Sequence, residues 1–236
     1  MNNDKNMIIR VLIVILMMIG AIAFFNVSQN KKENEDAIKF KEEYEKLNNE
    51  KVGEFTYSKI DIKEDNPFVY ADAKDVVNTL KNGTGLIYMG FSSCPWCRNA
   101  VNVLQHVNMD KIMYSDIKDL RDTYEVVDGN LKKTKEGTKE YYELLDILKD
   151  ILPDYEIEKD GVTYNANEKR IYVPLVIGVK EGKIVGYQLD TVTLNEGQTA
   201  FDALTEKQQS DLKLIYDEIV SKVKINVCMP EPGHGC

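Results

Sequence analysis

Four residues carry the most chemical information in this chain: Cys94-Pro95-Trp96-Cys97. Two thiols with two residues between them can form and break a disulfide within one helical turn. They can also form a plain structural bridge, or half of a zinc site. A zinc site needs further Cys or His ligands at suitable spacing. The nearest downstream histidine, His106, falls where an ordinary helix residue would sit. A thiol at the start of a helix faces the positive end of the macrodipole, which favours the thiolate. Cys94 is therefore expected to be the exposed attacking sulfur. Cys97, one turn further in and partly covered, would resolve the mixed disulfide.

The flanking residues must place Cys94 at such a helix start. Leu86–Phe91 is a short, mostly apolar run, long enough for a buried strand and too short for a helix. Ser92 and Ser93 interrupt it. Pro95 is tolerated in the first turn of a helix, where its missing N–H would have no partner anyway. Trp96, Cys97, Val101 and Leu104 recur at helical spacing. A strand feeding directly into a helix that opens on Cys-x-x-Cys is a specific redox context.

Strand, Cys-Pro-Trp-Cys and helix resemble the thioredoxin-like superfamily. Downstream, the run Arg170-Ile-Tyr-Val-Pro-Leu-Val-Ile-Gly-Val-Lys-Glu-Gly-Lys-Ile-Val-Gly is similar to that family's strand with a cis-proline followed by a hairpin. The superfamily resemblance covers roughly Tyr70 to Val223. The pattern Tyr-Met-Gly-Phe-Ser-Ser-Cys-Pro-Trp-Cys, with an inserted segment, looks most like the bacteriocin transport accessory protein branch. The resemblance implies a mixed sheet flanked by helices, with Pro174 as the cis-proline and Val173 beside the active sulfur. Pro95 and Trp96 would shape the turn and nearby surface, and Val173-Pro174 would present backbone to an extended substrate. It implies no cofactor and no metal, since the sulfurs carry the chemistry. In two respects the chain departs from thioredoxins proper, which have Cys-Gly-Pro-Cys and a buried acid on the preceding strand. Here that strand position is Tyr88.

The 236 residues are 43% hydrophobic and carry a net charge of −9, enough for one domain with a real core plus appendages. The acidic balance and lack of a basic patch argue against nucleic acid as a partner. Asp4 and Lys5 precede an apolar segment, Met7–Phe25, interrupted only by Arg10. Its length falls between that of a signal sequence and that of a membrane span. Residues 1–27 are therefore expected to form an uncleaved signal anchor, with a cleaved signal as the alternative because Ala21-Ile22-Ala23 offers a small-x-small pattern. Lys5 and Arg10 would keep that end cytoplasmic and place the rest outside. Either route puts the cysteines where disulfides persist.

Residues 28–53 read as a polar stalk helix with a stripe of Ala37, Phe40, Tyr44 and Leu47, and residues 54–223 as the thioredoxin-like domain. Within that domain Glu54–Ile62 and Phe68–Ala71 read as strands. Asp72 caps a helix through Leu80 that Gly83 ends, and Ile112–Ile117 is the next strand. Residues 118–170 are extra: an amphipathic helix through Tyr141, Leu144, Leu145, Leu148 and Leu152, a hairpin around Asp160-Gly161, and a loop at Asp128-Gly129-Asn130. This insertion is either decoration or a lid that contacts substrate. Thr205 and Gln208 form a capping-box pattern before a last helix with a stripe of Leu212, Ile215, Ile219 and Val223. In the tail, 224–236, Cys228 and Cys236 could close a second disulfide, relay electrons to Cys94–Cys97, or hold a metal with His234.

The expectation is an α/β, thioredoxin-like, membrane-anchored oxidoreductase facing outward. Its partners would be exported Cys-containing proteins or peptides, a redox partner protein, and the membrane through the N-terminal segment. The alternative is a non-catalytic accessory or docking protein of an export system that keeps Cys94–Cys97 as a structural bond.

Overall fold

The computed structural model describes residues 2–224, without the side chains of residues 2–14, 16 and 26. The tail cysteines Cys228 and Cys236 lie outside the described residues, as does part of the expected anchor. The elements run in this order: α1 (Asn2–Glu45), β1 (Lys51–Val52), β2 (Phe55–Thr56), β3 (Phe68–Tyr70), α2 (Ala73–Asn82), β4 (Gly85–Gly90), α3 (Pro95–Leu104) and β5 (Ile112–Asp116). There follow β6 (Thr123–Val127), β7 (Asn130–Lys135), α4 (Lys139–Leu148), β8 (Asp154–Lys159), β9 (Val162–Lys169), β10 (Leu175–Lys180), β11 (Lys183–Leu189) and α5 (Glu206–Lys224).

The core is a mixed α/β assembly. One five-stranded sheet has the order β11-β10-β4-β5-β3. β3, β5 and β4 run parallel, while β10 pairs antiparallel with both β4 and β11. The chain passes two strands one way through α2 and one strand back through α3. Right-handed crossovers in opposite directions put those helices on opposite faces. Because successive strand residues point to opposite sides, β4 is divided cleanly. Leu86 and Tyr88 join the cluster under α1, α3 and α5, and Ile87 and Met89 join the one under α2 and α4.

Local signals explain several element ends. Asp72 accepts from the backbone N–H groups of Lys74 and Asp75, and Asp75 returns a bond to the Asp72 backbone, completing a capping box. Thr205 and Gln208 exchange the same kind of bonds ahead of α5. Gly182 closes the β10–β11 turn at φ +71°, and a Cβ there would lie 2.2 Å from the Lys81 carbonyl oxygen. Only glycine fits that approach.

The expected strand at Glu54–Ile62 is not there. Only Phe55–Thr56 pairs, with Lys51–Val52, and residues 57–67 are irregular. Tyr57, Ile60 and Ile62 are nevertheless buried. Their stretch of backbone satisfies its polar groups with side chains instead of a neighbouring strand. Asn48 bonds both the N–H and the carbonyl of Ile60, Glu45 accepts from the Ile62 N–H at 2.8 Å, and Gln105 bridges Asp61 and Lys63. Alternation alone does not reveal such partners.

The polar segment expected as a stalk also differs. α1 is one helix of 44 residues, and its final turns are part of the core. Ala37, Phe40 and Tyr44 are buried, with Phe40 stacked on Phe68 at 4.0 Å between ring centroids. A boundary at residue 54 therefore cuts through the hydrophobic core. Nearer the N-terminus, Met17, Met18, Ile19, Ile22, Phe24 and Phe25 are exposed. Among the described residues no helix is long and apolar enough to cross a membrane.

The insertion contains one hairpin more than expected. β6–β7 closes over Asp128-Gly129, whose φ values of +52° and +72° suit a tight hairpin turn. β6, Thr-Tyr-Glu-Val-Val, has the β-branched and aromatic residues of a strand, but β7, Asn-Leu-Lys-Lys-Thr-Lys, has Leu131 as its one apolar residue and no alternation to signal a partner. β8–β9 is the hairpin expected around Asp160-Gly161. α4 is structural: Tyr141, Leu144, Leu145 and Leu148 pack over the second sheet face beside α2.

Candidate redox site

β4 ends at Gly90, and three residues later the chain turns into α3. Cys94 is the N-cap of that helix, with Pro95 as its first residue. The Cys97 N–H donates to the Cys94 sulfur at 3.2 Å, so a thiol takes the place usually filled by a capping oxygen. The Phe91 carbonyl accepts from the Cys94 N–H, and Tyr57 donates its hydroxyl to the Ser93 carbonyl at 2.7 Å. The loop that presents Cys94 is held from both sides.

Both cysteines are free thiols. The expected exposure of Cys94 is corrected: it is 7% accessible, against 0% for Cys97. The difference in rank stands, but the outer sulfur is nearly inaccessible too.

Across the site lies the Val173–Pro174 bond, which is cis. The Cys94 thiol points at the Val173 carbonyl oxygen, 3.8 Å away. Thus Cys94, Cys97, Val173 and Pro174, from segments about 80 residues apart, meet at one point. Pro95 and Trp96 are half-buried at its rim. Beside Trp96 a groove of about 420 Å³ runs along Tyr172, Val173 and Leu189, with Pro153 and Glu156 from the insertion on its far wall. The base of the β8–β9 hairpin therefore lines the surface next to the thiols.

The two sulfurs differ in electrostatics. Cys94 is held below the ordinary thiol range. The hydrogen bond with the Cys97 thiol contributes most, the backbone N–H groups of Cys97 and Trp96 and the Arg121 charge add to it, and burial opposes it. Cys97 is pushed well above that range by burial, then by its hydrogen bond to Cys94 and the charge there; the Phe91 backbone and the Tyr88 hydroxyl oppose the rise. The outer thiol is thus the more easily ionised of the two, and the inner one is held protonated.

Several residues that matter here carried no recognisable signal in the sequence. Arg98, the residue after the motif, is 1% accessible. Its guanidinium donates to the Tyr44 carbonyl, to Asn48 at 2.6 Å and to the Ser58 carbonyl at 3.1 Å, so it clamps the end of α1 to α3. A cation at a helix C-terminus is favourably placed. Arg121, at the start of the insertion, lies over the Phe91 ring at 4.9 Å. His106 is exposed beyond the end of α3, away from any ligand cluster. Among the described residues no group of His, Cys, Asp and Glu could hold a metal ion.

No family model, curated protein or solved structure matches this chain.

Proposed function

We propose that the protein is a thioredoxin-like thiol–disulfide oxidoreductase, anchored in the cell membrane by residues 1–27, that acts outside the cytoplasm on exported Cys-containing proteins or peptides. The observation that carries this reading is the meeting of the Cys94 sulfur, at the head of α3, with the Val173 carbonyl next to a cis-proline. A bound peptide in extended form could pair with the Val173 backbone while its own sulfur reaches Cys94. The strand order, with three parallel strands and an antiparallel hairpin, supports a thioredoxin-like architecture. The exposed apolar side chains from Met17 to Phe25 support a membrane location.

In the forward half-reaction the Cys94 thiolate attacks a substrate disulfide. One substrate sulfur leaves as a thiolate and the other stays bonded to Cys94. Cys97 then loses its proton to solvent and attacks Cys94, which releases the second substrate thiolate and leaves the Cys94–Cys97 disulfide. With the pair starting oxidised, the same steps run in reverse. Residues 153–156, beside Trp96, would contact the substrate chain next to its cysteine.

Trapping tests the reading. Cys97→Ala should accumulate mixed disulfides on Cys94 in cells, and the double variant with Cys94→Ser should accumulate none. The low accessibility of Cys94 favours a second reading, a docking scaffold with a structural bond. A reduction potential below about −300 mV together with no trapped partner would select the scaffold, since active pairs lie at about −270 to −120 mV.

A further inference from the structure

The groove beside Trp96 has a chemical character that thiol–disulfide exchange alone does not require. Four half-buried residues, Trp96, Tyr172, Val173 and Leu189, give it aromatic and aliphatic surface. Three exposed residues of its lining are acidic, Asp154, Glu156 and Asp190, and none is basic. Two cations beside the cysteine loop stand elsewhere: Lys118 donates to the Ser93 hydroxyl at 3.1 Å, and Arg121 lies over the Phe91 ring at 4.9 Å. The three acids are not equivalent. Asp154 pairs with Lys169 at 3.0 Å, which offsets its charge. The Glu156 carboxylate accepts from the neutral Asn165 amide at 3.2 Å, and the Asp190 carboxylate accepts from the Thr191 N–H at 2.8 Å. Neither contact cancels a charge. Both residues are also tied to the site by their backbones. The Glu156 N–H donates to the Tyr172 hydroxyl at 3.2 Å, and the Asp190 N–H donates to the Pro174 carbonyl at 2.9 Å. Two uncompensated carboxylates are thus anchored to the residues on either side of Val173, whose carbonyl lies 3.8 Å from the Cys94 sulfur.

We propose that this groove receives an arginine or lysine side chain of the substrate, two positions from the cysteine that Cys94 engages, and that Glu156 and Asp190 thereby select basic sequence around the reacting disulfide. This names the substrate class of the proposed exchange and rests on that reading. Arginine and lysine join an apolar stem to a charged head. The stem matches Val173 and Leu189, and the head matches the ring faces of Trp96 and Tyr172 together with the two carboxylates. An apolar side chain would gain nothing from those carboxylates, and an acidic one would be repelled. The spacing follows from strand geometry. Alternate side chains of an extended chain share a face, and residues two apart are separated by about 7 Å. A substrate paired with the Val173 backbone, its cysteine toward Cys94, therefore sends the side chain two positions away to the same side. The carboxylates are exposed, so they act on capture of the substrate and leave the sulfur chemistry as it is.

The test uses the full-length Cys97→Ala chain in detergent micelles, which stops at the mixed disulfide. Its probes are blocked pentapeptides with a central cysteine, each disulfide-bonded to 2-mercaptoethanol. The Cys94 thiolate attacks the peptide sulfur, the peptide–mercaptoethanol bond breaks, and mercaptoethanol leaves as its thiolate. Mass spectrometry follows the peptide–Cys94 adduct. One set carries Arg, Gln or Glu two positions before the cysteine, and a second set carries them two positions after it. In one of the two sets Arg should react about fivefold faster than Gln, and Glu slower than Gln. The gap should narrow at about 1 M salt, where the Debye length falls to about 3 Å. Glu156→Gln combined with Asp190→Asn should bring the Arg-to-Gln ratio to within about twofold. Asparagine suits the φ of +73° at position 190. Glu181→Gln, which removes one acid at the far end of β10 from Pro174, should leave the ratio as it is. Equal rates for Arg, Gln and Glu in both sets would overturn the proposal while leaving the exchange reading in place, as would an equal loss of preference from Glu181→Gln. If the double variant does not fold, Glu156→Lys decides: it should turn the preference toward Glu, and an Arg preference that survives it would overturn the proposal. Formation of no adduct with any peptide would remove the exchange reading and the proposal with it.

Discussion

The N-terminal helix and the insertion at residues 118–170 both lie outside the five-stranded sheet, yet they join it by different physics. The end of α1 enters through aromatic packing. Phe40 stacks with Tyr44 and Phe68 and meets Tyr114 edge-on, in a region that excludes water. The insertion enters through α4, which is apolar, and through a polar joint: Arg170 pairs with Asp122, both nearly inaccessible, and lies over the Tyr155 ring at 4.3 Å. Its hairpins add partly exposed ion pairs such as Lys133–Glu168. Each region also reaches toward the cysteine segment. Arg121 of the insertion acts on Cys94, and Tyr44 of the helix meets the Tyr88 hydroxyl of the strand that leads into it. A segment becomes part of a core by what it buries, and polar joints locate it without adding much net stability.

Four perturbations would break or sharpen this contrast. Phe40→Ala should have the largest effect, about 4 to 5 kcal/mol, since it leaves a cavity amid stacked rings. Chemical unfolding should show the loss in the whole domain and not in the helix alone; a loss below about 1 kcal/mol would mean that α1 is peripheral. Asp122→Ala should cost about 3 kcal/mol, because it strands the Arg170 charge in the interior. Replacing both partners by apolar residues of similar volume should recover most of that loss, and failure to recover would make the pair a true source of stability.

A third test concerns the two sulfurs. Alkylation followed by peptide mass spectrometry should modify Cys94 at least about tenfold faster than Cys97 at pH 7, as a shifted thiolate fraction and unequal burial require. The sign follows from the shifts: Cys94 ionises below the ordinary thiol range, so its rate should persist as pH falls and decline only through that lowered value. Cys97, displaced upward, should stay slow until alkaline pH. Arg121→Gln should move the Cys94 profile toward higher pH and leave the Cys97 profile in place, whereas an effect on both would undo the division between the two regions. Smallest of all, Lys133→Ala should cost less than about 1 kcal/mol in thermal unfolding, since its pairs with Glu168 and Glu136 are partly exposed. A larger loss would show that the β6–β7 hairpin is held by charge.

Much of the order of elements around the thiols was legible in the residues. Short apolar runs bounded by Ser, Asp, Gly and Pro gave away β4, β5 and β10, and the Asp72 and Thr205 caps marked two helix starts. These signals work because they are local: a strand face, a cap or a tight turn is determined within a few positions. Asp160-Gly161 marked its hairpin in the same way. Residues 57–62, expected as the greater part of a strand over Glu54–Ile62, are irregular because their hydrogen bonds go to Asn48, Glu45 and Gln105, partners fixed only when distant segments meet. The β6–β7 hairpin is not expected from the sequence because β7, Lys-rich and largely exposed, carries no apolar alternation to mark it as a partner of β6.

The candidate site divides along the same line. The sequence alone determined that two cysteines sit one helical turn apart behind a strand, with a proline between them, because helix geometry sets that spacing. Tertiary structure alone decided how deeply Cys94 is buried and that Val173 lies 3.8 Å from it. It also turned the last turns of α1, written as a polar segment with one apolar stripe, into the wall that brings Tyr44 against Tyr88. The reason is physical: ionisation of a buried sulfur depends on which groups surround it in space, and those groups come from α1, β4, α3 and α5, which no local pattern relates.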